Sequence, residues 1–289
     1  MANLKEVRTR IASVSSTQQI TSAMKMVSAA KFRRAQNAII GMRPYSAQLD
    51  EIVADINVED GVSTPYHVVR KADKVLLVVV TSNKGLCGAF NSNVIKLASS
   101  RIAELRQQPA TQVQLITIGK RCTEFFGKQK GLIVASYDDL LDTPSFDAVA
   151  DIADGIMQNF CDKVYDRVEV IYNQFKNSLS QILCDDQFLP VKPVARTADS
   201  RTSNDYIFEP GKEEILRQMV PLMLRSYLYR VVLDSLAAEH GARMTAMQKA
   251  TDNATELLKD LKLSYNKARQ AAITNEIIEI VSGSEALKS

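Results

Sequence analysis

The sequence predicts an α/β protein in which long N- and C-terminal helices pair as an antiparallel coiled coil around an inserted Rossmann-like α/β domain. Two observations predict it. Apolar residues recur every three or four positions over the first fifty and last seventy residues, the mark of amphipathic helices. Between them the period collapses into short apolar runs that alternate with helical stretches, as parallel βαβ units require.

The first segment, from about Asn3 to Ile56, opens with Leu4, Val7, Ile11 and Val14 on one face. A second stripe is then expected to take over through Ile20, Met24, Val27, Lys31, Arg34, Ala38, Met42, Tyr45, Leu49, Ile52 and Ile56. Its steps of 4 and 3 are those of a heptad seam with one stutter. Asn3 with Glu6 three residues on fits a capping box, and Pro44 is expected to kink or divide the helix near Arg43.

The last segment, from about Pro210 to Val281, carries a predicted seam of Leu236, His240, Arg243, Met247, Ala250, Ala254, Leu257, Leu261, Ser264, Ala268, Ala271, Asn275 and Ile278. Bends are expected at Pro221 and Gly241. At 1.5 Å per residue the two segments would reach roughly 80 and 110 Å, too long for a compact domain, so each must bury its stripe against the other. The domain that joins them turns the chain back, and the pair must run antiparallel. Ala, Ser, Thr and charged residues at seam positions make the predicted pair weak in water, which suggests a sheath of other protein around it.

In the middle, Lys74–Val80 (KVLLVVV) reads as a strand buried on both faces. Further strands are expected at Val113–Ile118, Leu132–Ser136, Arg167–Phe175 and Gln181–Leu189. Helices are expected near Asn91–Gln107, Lys120–Lys128 and Phe146–Lys163. The organisation that follows is 1–57 for the N-terminal helix, 70–190 for the α/β domain, 191–209 for a linker and 210–289 for the C-terminal helix.

Composition narrows the function classes. Aromatic residues are 6% and tryptophan is absent, which suits elongated helices better than a compact core. The run Val75–Val80 is too short to cross a bilayer. Four cysteines without C-x-x-C spacing and two histidines argue against zinc and for free buried thiols in a reducing compartment. The loop Ser82-Asn83-Lys84-Gly85-Leu86-Cys87-Gly88 sits where an α/β fold binds ligands, yet fits neither G-x-G-x-x-G nor G-x-x-x-x-G-K-[ST], so a tight structural turn is expected there. Gly119-Lys120-Arg121 lacks the upstream glycine of a P-loop, and Asp138, Asp139 and Asp142 read as a solvated loop. No cofactor, metal or catalytic residue is expected. Residues 1–35 hold seven basic side chains against the single acid Glu6. That net +6 keeps open a basic coiled-coil nucleic-acid-binding or scaffold protein, although no aromatics interleave with the bases. The amphipathic pattern continues without a break at which a transit peptide would be cut.

Three stretches together resemble the gamma subunits of F-type ATP synthases. The first runs from Arg10-Ile11-Ala12-Ser13-Val14 through Gln19-Ile20-Thr21 and Ala23-Met24-Lys25-Met26-Val27 to Ala29-Ala30-Lys31. The second is Gly85-Leu86-Cys87-Gly88 with Phe90-Asn91. The third includes Ala250-Thr251-Asp252-Asn253-Ala254, Ala268-Arg269-Gln270-Ala271 and Ile273 to Gly283. The resemblance departs at Ser82-Asn83-Lys84, where the family usually has Ser-Asp-Arg or similar, and at Ser284, where alanine is frequent.

The resemblance implies a non-catalytic rotary shaft that couples proton flow through a membrane ring to conformational cycling of catalytic beta subunits. The implied partners are alpha and beta subunits, an epsilon subunit and the membrane c-ring, with no nucleic acid. The implied location is peripheral, on the cytoplasmic face of a bacterial inner membrane. Met24, Arg243, Gln270, Thr274 and Glu276 match positions of beta-subunit contact or coupling. Lys25, Lys31, Arg33 and Arg34 would face an acidic loop of beta, and Tyr206 and Glu209 would approach the membrane ring and epsilon side.

Overall fold

The computed structural model describes residues 4–60, 64–107, 111–129, 131–177, 180–192, 209 and 211–286. Its elements are α1 (Leu4–Asp60), β1 (Lys74–Val80), α2 (Phe90–Arg106), β2 (Gln112–Ile118), α3 (Lys120–Phe126), β3 (Ile133–Ser136), α4 (Phe146–Cys161), β4 (Arg167–Phe175), β5 (Gln181–Leu189) and α5 (Lys212–Ala286). The chain divides into two compact units, residues 29–243 and residues 1–28 with 244–289.

The unit of residues 29–243 is organised by β1. Its side chains alternate between faces, as a period of two demands. Leu76, Val78 and Val80 join a core with α4 and the α1 and α5 segments of this unit. Val75, Leu77 and Val79 join a second core with α2 and α3. All six are fully buried, which explains a strand with no polar side after Lys74. The sheet order is β3-β2-β1-β4-β5, with four parallel strands and β5 antiparallel to β4 at one edge. This is a doubly wound order, and its crevice lies beyond the carboxyl end of β1.

The flanking helices follow from their sequences. In α4, Val149, Ile152, Ala153, Ile156, Met157 and Phe160 are buried at steps of three and one, and Ser145 caps the helix by accepting from Ala148 N. In α2, Phe90, Val94, Ala98, Ile102 and Leu105 face the sheet. Arg101 reaches from α2 to Glu169 of β4 through two bonds of 2.8 Å, which gives that buried carboxylate a bidentate partner.

The α1 stripe differs from expectation. Residues 4–28 are most covered at Leu4, Val7, Ile11, Val14, Gln18, Thr21, Lys25 and Ser28, and the segment from residue 29 continues at Phe32, Ala35, Ile39, Met42, Ser46, Leu49 and Val53. The steps alternate 3 and 4 throughout, so no second stripe takes over. Ile20 and Val27 are each 59% exposed and Tyr45 46%, and Lys31, Arg34 and Ala38 are exposed too. Aliphatic side chains hold the covered positions up to Val14, and beyond it Gln18 and Thr21 are covered because they bond to the Thr255 and Thr251 hydroxyls of the neighbouring helix. In α5 the predicted Leu236, Met247, Ala254, Leu261 and Ala268 lie on the covered face. Thr251, Leu258, Tyr265 and Ala272 replace the predicted Ala250, Leu257, Ser264 and Ala271. A doubled step of four, Arg243–Met247–Thr251, moves the stripe by one position.

Pro44 does not divide α1, and α5 is continuous through Pro221 and Gly241. Pro44 is exposed, so water can satisfy the carbonyl one turn back that loses its donor. The Asn3 cap and most of the predicted linker, residues 193–208, lie outside the described residues.

Candidate coupling surface

In the unit of residues 1–28 and 244–289 the two helices are joined by polar bonds. Arg8 Nη2 donates to Tyr265 Oη at 2.8 Å, Gln18 Nε2 to Thr255 Oγ1 at 2.7 Å, and Thr251 Oγ1 to Thr21 Oγ1 at 2.8 Å. Residue numbers rise along one helix as they fall along the other, so the pair is antiparallel. Met24 and Lys25 are half-buried beside this seam, and the Met24 carbonyl accepts from Ser28 Oγ at 2.8 Å.

Arg8 stands beside Tyr265, four residues from where the described α1 begins. Beyond Ala272 the side chains of residues 273–284 are all exposed. Among them Ile273, Ile277, Ile278, Ile280 and Val281 are 48–72% exposed. Gln270, Thr274 and Glu276 lie on the same stretch and are exposed as well, and Thr274 Oγ1 bonds back to the Gln270 carbonyl.

In the unit of residues 29–243, Lys31, Arg33 and Arg34 are exposed on α1. Arg243 is not on the surface. It is 7% exposed, and its guanidinium is spent inside the unit. Nη1 donates to Glu239 Oε1 at 2.7 Å, Nη2 to the Lys84 carbonyl at 2.8 Å, and Nε to the Gly85 carbonyl at 3.3 Å. Nη1 also lies 3.3 Å from His240 Nδ1. Burial pushes the Glu239 carboxyl above its ordinary value, against the pull of Arg243 and Lys31. Burial, then repulsion from Arg243 and Lys31, brings His240 down to about 4. The ring is therefore neutral at pH 7, and because arginine can only donate, Nδ1 is its acceptor.

The loop that Arg243 holds follows β1. Ser82 N donates to Asn91 Oδ1, Asn91 Nδ2 donates to Ser82 Oγ, and Ser82 Oγ donates to the Lys84 carbonyl. Asn83 bridges the Asp138 carbonyl and Lys120 N. Leu86 and Gly88 have φ of 62° and 61°, which glycine accepts freely and leucine does not. Arg121 Nη2 lies only 3.1 Å from where a Cβ on Gly85 would be. Ser82, Asn83 and the Lys84 carbonyl are thus the groups that knit this turn.

Glu209 is exposed at a bend before α5, and Tyr206 lies outside the described residues. Sequence reasoning missed Glu239. Its signal was the spacing, a glutamate four residues before an arginine on one helix face. Among the described residues no cluster of three His, Cys, Asp or Glu side chains could hold a metal, and no helix is long and apolar enough to cross a membrane.

In sequence a doubly wound sheet is inserted between two terminal helices, which pair antiparallel, and a pinned turn follows its first strand. A family model described as ATP synthase matches residues 3–287, and the chain belongs to that family. Relatives named ATP synthase gamma chain align end to end: that of Flavobacterium johnsoniae is 53% identical over 99% of both chains. That of Cytophaga hutchinsonii is 50% identical over the full length of both. Among solved structures, a chain in the central stalk and c-ring of Tetrahymena thermophila mitochondrial ATP synthase is similar with a TM-score of 0.60 and 27% identity, over 80% of this chain and 99% of that one. A chain of the Euglena gracilis mitochondrial ATP synthase gives 0.72 at 20% identity, over 98% and 94%, and supports the fold.

Proposed function

We propose that this chain is the central rotary shaft of an F-type ATP synthase, coupling proton flow through a membrane ring to conformational cycling of catalytic beta subunits. The observation that carries this reading is the end-to-end identity of about half with gamma chains. The bare apolar stretch from Ile273 to Val281 supports it, because five exposed aliphatic side chains on one helix end call for a sleeve of other protein. The chain itself is non-catalytic, and chemistry belongs to the beta subunits around it. It associates peripherally, through the complex, with the cytoplasmic face of a bacterial inner membrane. Residues 1–57 and 210–289 act as the shaft, 70–190 as the inserted domain and 191–209 as the linker.

Coupling is a matter of differential contact. A shaft changes a bistable partner only by binding one of its conformations better. Driving such a partner from 1:99 to 99:1 takes about 5.5 kcal/mol. A hydrogen bond to a charged group contributes about 1.5–3 kcal/mol, so two to four such contacts per step suffice. Lys25, Lys31, Arg33, Arg34, Gln270, Thr274 and Glu276 supply them toward beta, and Met24 adds an apolar contact. Arg243 contributes by fixing the turn after β1. Tyr206 and Glu209 face the membrane ring and the epsilon side.

The test is co-purification followed by transport. The tagged chain, expressed in its own cell, is expected to bring down a hexamer with ATPase activity and a small epsilon-type partner, and membrane vesicles carrying the complex are expected to acidify with ATP. Recovery of the chain without a hexamer overturns the reading.

A further inference from the structure

The corner where β4 ends is held twice over. The Phe175 ring packs edge-on against Phe32 of α1, with centroids 5.5 Å apart, in a cluster that includes Ile39, Leu233 and Ala237. Apolar contact alone thus joins the end of the strand to the α1 and α5 segments of this unit. Yet a carboxylate is buried at the same corner: the Asp234 side chain of α5 is only 2% exposed. Arg43 of α1 answers it. Its Nη2 donates to Asp234 Oδ1 at 3.3 Å and to the Phe175 carbonyl at 3.0 Å, and the Phe175 backbone also bonds the Asp234 carboxylate. The arrangement is reciprocated on the same two helices, where Arg230 of α5 donates to Ser46 Oγ of α1 at 3.1 Å and lies 3.7 Å from Asp50 Oδ2. An ion pair in a site already filled with apolar side chains adds little net stability. What it adds is direction, because hydrogen bonds weaken steeply as they bend or stretch.

We propose that Arg43 is a positioning residue for coupling. One guanidinium nitrogen joins α1, α5 and the carboxyl end of β4, and so fixes the angle at which the two helices carry the inserted sheet. The inference rests on the shaft reading above: a shaft under load must not yield where its helices meet its inserted domain. When the donor is lost, apolar packing keeps the parts together. The joint then slips against load, and hydrolysis proceeds without its full share of proton transport.

The experiment uses the assembled complex in inverted membrane vesicles, reading ATP hydrolysis and the ATP-driven proton gradient with and without a protonophore. The double variant Arg43→Met/Asp234→Asn keeps both side-chain volumes while removing the donor and the charge it would strand. Its hydrolysis is expected to be normal when the protonophore collapses the gradient. Without protonophore its steady gradient is expected to fall several-fold, and hydrolysis is no longer held back by that gradient. Asp234→Asn alone keeps an acceptor for Arg43 and is expected to hold a near-normal gradient. A full gradient in the double variant overturns the proposal, as does a single variant as poor as the double. Failure to assemble, or hydrolysis that falls in step with the gradient even under protonophore, also overturns it, since Arg43 then serves stability alone. Failure of the shaft reading is distinct, because the unmutated chain then recovers no hexamer at all.

Discussion

Removing Arg243 strands Glu239 in the interior, and the size of the penalty can be worked from its surroundings. The Glu239 side chain is 8% exposed. The Lys84 and Gly85 carbonyls lie in an exposed turn and regain water, so most of the cost in Arg243→Ala falls on the carboxylate. Breaking a buried pair from one side costs about 3–5 kcal/mol. Glutamate has an escape, which is to take up a proton. From its ordinary value of 4.5, neutralisation at pH 7 costs about 3.4 kcal/mol, at 1.36 kcal/mol per pH unit. The loss is therefore capped near that figure.

The sign with pH follows. In the variant the folded carboxyl holds its proton while the unfolded one has lost it above 4.5. Stability then rises as pH falls, by up to about 1.4 kcal/mol per unit between 7 and 5. Denaturant unfolding of the purified full chain, read at several pH values, measures this. In the double variant Arg243→Ala/Glu239→Gln the slope vanishes and roughly 2 kcal/mol or more returns at pH 7. A pH-independent loss, or no recovery in the double variant, refutes the reasoning.

Other consequences are tested the same way. His240, held near 4 in the folded chain and at an ordinary 6.5 unfolded, keeps its full contribution above 6.5 and withdraws it as pH falls toward 4. Relative to His240→Gln, the unmutated chain is expected to lose at most about 2 kcal/mol between pH 7 and 5, seen in thermal or denaturant melts. The covered face of α5 separates two adjacent leucines. Leu258→Ala, at 8% exposure, is expected to cost about 2–3 kcal/mol, and Leu257→Ala, at 41%, less than about 1, by the same unfolding measurement. Gln270→Ala, on an exposed stretch, is expected to leave stability within about 0.5 kcal/mol while lowering ATP turnover in the assembled complex. Unchanged turnover removes Gln270 from the coupling set.

The sheet was readable because β1 announces itself. Six consecutive aliphatic residues leave no polar face, and only a strand between two helical layers buries both sides. The register of the terminal helices was harder. Ile20 and Val27 outrank Gln18 and Ser28 on any hydrophobic scale, yet the latter are more covered: Ser28 is small enough for close approach, and Gln18 donates its amide to the Thr255 hydroxyl. Periodicity placed Arg243 on the seam, and only the resemblance gave it a coupling role. Its grip on Lys84 and Gly85 joins residues some 160 positions apart, and no local pattern encodes such a contact. Glu239, one helical turn away, was within reach of spacing rules.

The bonds from Arg8 to Tyr265, Gln18 to Thr255 and Thr251 to Thr21 bear on how this helix pair resists torque. Aliphatic seams hold by area and tolerate sliding, since one methyl replaces another at little loss. Directional bonds of 2.7–2.8 Å weaken steeply with displacement. A slip of one residue breaks all three together. A pair latched in this way is indexed rather than merely cohesive: its bonds single out one residue register even where its private burial is small.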